Sequence, residues 1–254
     1  MPNKPLISII TVTYNAEATL PATLDSLRGQ KGCTAGTDYE YIVMDGKSKD
    51  NTVSIAKSCG IEGMRIFSEP DNGIYEAMNK AMDVAHGSYY IFLNSGDSFH
   101  EPDTLRTIID TIRQNDMPGI VYGQTVLVDN DRKVIGPRHL TAPPVLTYES
   151  FANGMSVCHQ AFVALARIAP HYDMRYRYSA DYEWCLQCLQ HSRRNVYIDS
   201  TLIDYLSEGT TTRHRYASLI ERFRIMCYYF GTLQTIMRHL RFIPRFIKQR
   251  RKSK

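Results

Sequence analysis

Asn94-Ser95-Gly96-Asp97 closes a short aromatic and aliphatic run, Tyr89-Tyr90-Ile91-Phe92-Leu93, and is the stretch of this sequence best equipped for chemistry. The run reads as a buried strand, and the polar cluster as the turn that ends it. In open α/β sheets, ligands bind at the carboxyl ends of strands. A carboxylate and an amide oxygen fixed there are hard donors, suited to Mg²⁺ or Mn²⁺ rather than zinc. A divalent ion in that place would carry the phosphates of a nucleotide. Three more polar clusters, Thr13-Tyr14-Asn15, Asp45-Gly46 and Asp71-Asn72-Gly73, stand at strand ends or in adjoining loops. The ends of parallel strands share one edge, so the four clusters are expected to converge. The sequence has no G-x-G-x-x-G and no G-x-x-x-x-G-K-[ST], which argues against a dinucleotide oxidoreductase or a P-loop enzyme. Without a glycine cradle for phosphates, a metal ion is the natural substitute.

The elements that must position these clusters are legible in the first 115 residues. Leu6-Ile7-Ser8-Ile9-Ile10-Thr11-Val12-Thr13 has the β-branched, nearly all-apolar composition of a buried parallel strand. Thr19 and Pro21 open a helix on which Leu20, Leu24 and Leu27 recur. A strand over 39–44 ends in Asp45-Gly46. A helix capped by Asp50-Asn51-Thr52 runs to Gly60, and a short strand follows over 64–68. Ile74, Met78, Ala81, Met82 and Ala85 form the apolar stripe of the next helix. After the strand at 89–93, Pro102-Asp103 begin a helix with Leu105, Ile108, Ile109 and Ile112 on one face. Repeated alternation of strand and helix predicts a parallel, doubly wound nucleotide-binding half. After Gly119 the pattern changes. Residues 120–128 and 133–135 predict a hairpin around Asp129-Asn130-Asp131. Strands are expected over 155–165 and 196–198. A helix carrying Tyr182, Trp184, Cys185 and Leu189 follows Ser179-Ala180-Asp181.

The chain has 254 residues and a formal net charge of +4. Twelve Lys/Arg and one acidic residue, Glu221, fall in 213–254, so the remainder is acidic. The positive charge therefore belongs to a tail and bears on partners rather than on fold. Leu219, Phe223, Met226, Phe230, Leu233 and Met237 follow helical spacing there, interleaved with arginines. Such a basic aromatic helix suits an anionic membrane surface; the alternative is a helix packed on the core with a solvated basic cluster after it. Nucleic acid would attract the same charge, but no RNA-binding motif accompanies it. Six scattered cysteines do not make a disulfide framework, and Cys185-x-x-Cys188 lacks the second ligand pair a zinc site needs. No run of eighteen apolar residues spans a membrane. Met1 to Pro5 leads straight into a strand without a secretory signal, which implies the cytoplasm.

Taken together, Thr11-Val12-Thr13-Tyr14-Asn15, then Val43 to Thr52, then Glu69 to Lys80, then Asn94 to Asp97, resemble in order and spacing the family 2 glycosyltransferases. The shape of the central motif is similar to that of bacterial enzymes that build surface polysaccharides. The resemblance implies an α/β GT-A fold, with a Rossmann-like, mostly parallel sheet flanked by helices and a C-terminal amphipathic extension. It divides the chain into a glycosyltransferase domain over 1–212 (donor half 1–115, acceptor half 116–212) and a tail over 213–254.

The resemblance also implies roles. Thr13, Tyr14 and Asn15 would line the nucleoside pocket, and Asp45 would accept a hydrogen bond from the base. Asp71 and Lys80 would contact the nucleotide sugar. Asn94, Ser95, Gly96 and Asp97 would form the metal- and diphosphate-binding motif, with Asn94 where the family usually has Asp. Asp181, at the start of its helix, would be the catalytic base, with Glu183 in reserve; a helix N-terminus keeps a carboxylate ionised. His159 and Gln160 would face the acceptor. Thr210, Arg213 and His214 would belong to a loop closing over the diphosphate. Expected partners are a nucleotide-sugar donor, UDP before GDP or dTDP, and a glycan or lipid-linked acceptor, with Mg²⁺ or Mn²⁺ as cofactor. The expected location is the cytoplasm, against the inner face of the membrane and without nucleic acid.

Read singly, these residues have plainer uses. Asp45 suits a turn before Gly46, and Asp97 and Asp181 suit helix caps. His159 suits a core beside Phe162, Lys80 a solvated helix face, and His214 a basic surface. Two other functions compete. A phosphatase would use Asp45 as nucleophile, although Lys47 stands where a second Asp belongs. A non-catalytic basic protein would bind membrane or nucleic acid on a degenerate nucleotide fold.

Overall fold

The computed structural model describes residues 4–207 and 215–240. β1 (Ile7–Thr13) is buried along its whole length. It pairs in parallel with β2 (Tyr39–Asp45) on one side and β4 (Tyr89–Phe92) on the other. β3 (Arg65–Ser68) extends the parallel set beyond β2. The order β3-β2-β1-β4 is that of a nucleotide-binding half, and it brings the carboxyl ends to one edge. The register is specific: Thr13 lies beside Asp45, and Asp45 beside Ser68.

Four helices alternate with these strands: α1 (Leu20–Arg28), α2 (Thr52–Ser58), α3 (Ile74–Val84) and α4 (Thr104–Gln114). On α4, Leu105, Ile108, Ile109 and Ile112 recur at helical spacing, and all four are buried. Removing each such side chain from water contributes roughly 1.5–3 kcal/mol before the entropy of ordering is counted. The stripe of α3 differs from expectation. Ile74, its first residue, is 43 % exposed, and Tyr75 takes the buried position with Met78 and Met82. The i, i+3, i+7 spacing of those three places them on one face.

Beyond β4 the sheet becomes mixed. β6 (Ile120–Val128) and β7 (Val134–Pro137) form the expected hairpin. β8 (Phe162–Leu165) runs antiparallel between β4 and β6, and β9 (Asn195–Leu206) lies parallel to β6. A two-residue β5 (Ser98–Phe99) pairs with β9, completing a nine-stranded sheet. Two strand expectations are corrected here. Residues 155–161 are not strand, because the chain turns through a single 3-10 turn at His159–Ala161 before β8 begins. The strand expected at 196–198 is twelve residues long. Its polar residues and its irregular pairing with β6 conceal the alternation by which a strand is recognised.

α5 (Ala180–His191) and α6 (Arg215–Phe230) complete the layers. Alternate residues of β1 divide the core: Ile10 and Val12 pack with α3, α5 and α6, while Ile7 and Ile9 pack with α1, α2 and α4. The tail therefore begins as a docked helix, with Ser218, Ile225 and Met226 buried. Residues 232–240 are helical, and 241–254 lie outside the described residues. No helix among the described residues is long and apolar enough to cross a membrane. All six cysteines are free.

Candidate active site

The strand register puts Asp45 between two hydroxyl-bearing neighbours, and a tight turn adds a third. Thr13 Oγ1 donates to Asp45 Oδ1 at 3.1 Å, and Ser68 Oγ donates to Oδ2 at 2.6 Å. The Ser48 amide donates to Oδ2 at 3.0 Å, and the Ser48 hydroxyl also donates to Oδ1. Burial works to raise the Asp45 carboxyl, but these donors outweigh it and hold the group below the ordinary carboxylate value. Each oxygen already has two donors, so a nucleobase N–H reaches Asp45 only by displacing one of them. Asn15, with φ of 47°, clasps the same turn: its amide donates to Ser48 Oγ at 2.8 Å and its Oδ1 accepts from the Lys49 amide at 2.9 Å. Tyr14, 62 % exposed, presents an open ring at the end of β1.

Asp71 is the freer carboxylate beside Asp45. Its Oδ1 accepts the Gly73 amide at 2.9 Å. Its Oδ2 lies so close to Gly46 that a Cβ on that residue would come within 2.5 Å of it. Burial raises the Asp71 carboxyl, the charges of Glu76 and Asp45 add to the rise, and the Gly73 amide and Lys80 oppose it. Lys80 itself is tied to the turn at the start of α3. Its Nζ donates to the Pro70 carbonyl at 2.7 Å and pairs with Glu69 at 3.1 Å and Glu76 at 3.3 Å.

The loop after β4 is pinned from three sides. Thr23 Oγ1 accepts the Gly96 amide at 2.9 Å and donates to the Asp97 carbonyl at 2.7 Å. Ser95 Oγ lies 2.9 Å from Thr19 Oγ1. Gly96 has φ of 99°, and a Cβ there would come within 2.8 Å of Leu206. Arg132, at the tip of the β6–β7 hairpin, donates to the Gly96 carbonyl at 2.5 Å and to the Ser98 hydroxyl. Asp97 is 4 % exposed; Oδ2 accepts from Gln160 Nε2 at 2.8 Å and Oδ1 from the Leu206 amide at 3.0 Å. Burial pushes its carboxyl up to about 7, against the pull of the Leu206 amide, Gln160 and the charge of Arg132.

Asn94 and Asp97 carry the oxygens that bear on the cation expected from the sequence. Asn94 Oδ1 is buried and has no hydrogen-bond partner. With the Asp97 carboxylate it makes a pair of hard oxygen donors. Among the described residues no group of three His, Cys, Asp or Glu could hold a metal on its own. That set fits Mg²⁺ or Mn²⁺ held by one or two side chains and completed by substrate phosphates and water.

Asp181 is the second residue of α5. The Tyr75 hydroxyl donates to its Oδ1 at 3.1 Å, and the Tyr182 amide to the same oxygen at 2.9 Å. Burial, then the charge of Asp181, drives the Tyr75 phenol well above its usual value. Burial raises the Tyr205 phenol, and the charges of Asp97, Cys158 and Asp181 add to the rise. Sequence reasoning missed Tyr75, Arg132 and the serines. Tyr75 reads as core, and Arg132 follows a turn without any motif around it.

Several expected residues lie elsewhere. His159 does not face an open acceptor cleft. It is 3 % exposed, stacked on Phe92 with ring centroids 5.0 Å apart, and its Nε2 is 2.6 Å from the Tyr172 hydroxyl. Burial lowers its imidazole to about 4. Gln160 turns inward to Asp97. Glu183 points away from Tyr75 and joins Tyr229 and Gln187. Thr210, Arg213 and His214 lie outside the described residues.

The family described as "Glycosyl transferase family 2" matches residues 8–169. A "PGL/p-HBAD biosynthesis glycosyltransferase" of Mycobacterium bovis is 33 % identical over 192 residues, covering 72 % of this chain and 70 % of the relative. The crystal structure of S. aureus TarS 1-349 in complex with UDP-GlcNAc superposes with a TM-score of 0.70 at 17 % identity, over 93 % of this chain and 73 % of that one. The mannosyltransferase PcManGT from Pyrobaculum calidifontis, in complex with GDP-Man and Mn²⁺, gives 0.63 at 14 % identity, over 95 % and 77 %. At those identities the two structures show a shared fold.

Proposed function

This chain belongs to glycosyl transferase family 2 and is a glycosyltransferase, and from that premise we propose that it is an inverting, divalent-metal-assisted enzyme. It moves a sugar from a nucleotide-sugar donor, a UDP-sugar, to a hydroxyl of a glycan or lipid-linked acceptor in bacterial surface polysaccharide synthesis. The observation that carries the reading is the Tyr75–Asp181 hydrogen bond at the first turn of α5. The open ring of Tyr14 offers a stacking face for the base, and the free oxygen of Asp71 an acceptor for the nucleoside or sugar. Asp45 shapes that pocket through Ser48, Ser68 and Thr13.

The chemistry follows from this placement. Asp181 takes the proton of the acceptor hydroxyl as its oxygen attacks the anomeric carbon from the side opposite the diphosphate. The bond from that carbon to the diphosphate oxygen breaks, and the electron pair leaves with the nucleotide. Asp97 and Asn94 would hold Mg²⁺ or Mn²⁺, which when bound supplies positive charge to the departing diphosphate. Arg132 and Gln160 keep the loop and the Asp97 carboxylate in place. TarS was solved with UDP-GlcNAc and PcManGT with GDP-Man and Mn²⁺, which supports a nucleotide-sugar donor and a divalent ion for this chain.

Peripheral contact with the inner face of the membrane is part of the proposal. Leu219, Ile220, Leu233, Ile236, Met237 and Leu240 are all more than 40 % exposed on the C-terminal helices. Arginines are interleaved with them, which suits an anionic surface. The phosphatase alternative loses ground, because both oxygens of the Asp45 carboxylate are engaged by Thr13, Ser48 and Ser68 rather than free to act as a nucleophile.

A nucleotide-release screen of the purified chain against UDP-, GDP- and dTDP-sugars, with and without EDTA, tests the assignment. Release with a UDP-sugar and a hydroxyl acceptor, abolished by chelator, is expected. Release undiminished by EDTA removes the metal from the proposal, and full activity in Asp181→Asn removes the base.

A further inference from the structure

Glu183, which the sequence offers as a reserve base, instead lines a cavity of about 490 Å³. Glu183, Gln187 and Gln190 follow one another at i, i+4 and i+7, on a face of α5 turned about 200° from Asp181. Tyr228 and Tyr229 at the end of α6, and Asp173, Arg175 and Tyr176 in the preceding loop, complete the walls. The volume lies in the range of small-molecule sites.

The lining selects its ligand by charge and shape. Arg175 forks onto Asp173, with Nε 3.0 and 2.8 Å from the two carboxylate oxygens, so that pair is internally neutral. With Glu183 added, the wall carries a net formal charge of −1, which disfavours phosphates and nucleotides. It is 3 % exposed, its Oε1 accepts from the Tyr229 hydroxyl and Gln187, and its Oε2 is buried with no partner. A buried carboxylate oxygen without a donor is costly unless a ligand supplies one. The other wall groups are tyrosine rings and planar amides. Tyr228 is 79 % exposed with its ring centroid 5.1 Å from that of Tyr229 and nearly perpendicular to it. Aromatic faces beside forked amide donors and acceptors suit a ring with apolar C–H faces and a rim of hydroxyls.

We propose that this cavity is a saccharide-binding subsite for a neutral sugar ring, one of whose hydroxyls donates to Glu183 Oε2 as the Gln187 side chain turns aside. Helix diameter sets its distance from Asp181 at roughly 10 Å. A sugar seated there is therefore a remote unit of the acceptor glycan, an assignment that rests on the glycosyltransferase reading above.

Saturation-transfer difference NMR of the full chain with the methyl glycosides of glucose, galactose, mannose and N-acetylglucosamine tests it without turnover. Transfer to at least one glycoside is expected, with affinity about tenfold weaker in Tyr228→Ala and in Gln190→Ala. Both residues are exposed, so the variants keep their fold. Saturating UDP and the Asp181→Asn substitution should leave the signal unchanged. No transfer to any glycoside from folded protein overturns the proposal, as does a signal that UDP displaces or that both variants retain in full. A signal that persists while no donor sugar is turned over keeps the subsite and removes its link to the acceptor.

Discussion

The hydroxyl of Tyr75 donates to Asp181 Oδ1 at 3.1 Å, joining residues 106 positions apart. One stands at the start of α3, directly after the Asp71-Asn72-Gly73 turn, and the other at the start of α5. The bond ties the start of α3 to the start of α5. It also holds one oxygen of the carboxylate still while the other stays available for a proton.

Two substitutions separate positioning from proton transfer. Asp181→Asn should lower kcat by roughly 10²–10⁴ with little change in UDP affinity. Tyr75→Phe removes one hydrogen bond of about 1 kcal/mol and should lower kcat several-fold while leaving the base intact. Steady-state rates with UDP titrations distinguish them. Equal and complete losses would merge the two roles.

Asp97 and Asn94 should show their donor function in stability as well as rate. Mg²⁺ or Mn²⁺ together with UDP should raise Tm in the natural chain and not in Asp97→Asn, because a ligand stabilises the fold it binds. Differential scanning fluorimetry with a chelator control reads this directly.

His159 gives a pH signature of stability. Its folded value near 4 lies below the unfolded value of 6.5, so the unfolded chain binds more protons between them. Its contribution is present above about pH 6.5 and is lost as pH falls towards 4, by up to about 3 kcal/mol. His159→Phe, which keeps the stack on Phe92 and gives up the Tyr172 hydroxyl, should flatten that slope. Denaturant midpoints from pH 4 to 7 compare the two.

Gly46 has no room for a side chain, since a Cβ would meet Asp71 Oδ2 at 2.5 Å. Gly46→Ala should push the Asp71 carboxylate aside, costing about 1–3 kcal/mol and weakening UDP binding. Calorimetric titration with UDP is the check.

The donor half was readable because its strands are buried runs, and their ends carry the polar residues. β1 and α4 announce themselves by period alone. Beyond residue 119 the sequence was less informative for identifiable reasons. β8 is four residues long and lies next to a 3-10 turn, and β9 hides its period beneath Asp199, Ser200 and Asp204. The site shows the same division. Asp97 and Asp181 stand out as candidates because they lie in motifs, whereas Arg132 and Ser68 make contacts between residues far apart in sequence. His159 and Glu183 looked chemical by type and by neighbourhood, but their orientation depends on which face of a turn or helix meets the core.

Glu221 on α6 accepts the backbone amides of Arg177 at 2.9 Å and Tyr178 at 2.7 Å, just ahead of the helix that carries Asp181. The start of α5 thus leans on a helix that leaves Leu219 and Ile220 exposed. On the proposed roles, trimming that segment would loosen both the membrane contact and the carboxylate at the start of α5, so anchorage and turnover would be lost in a single cut.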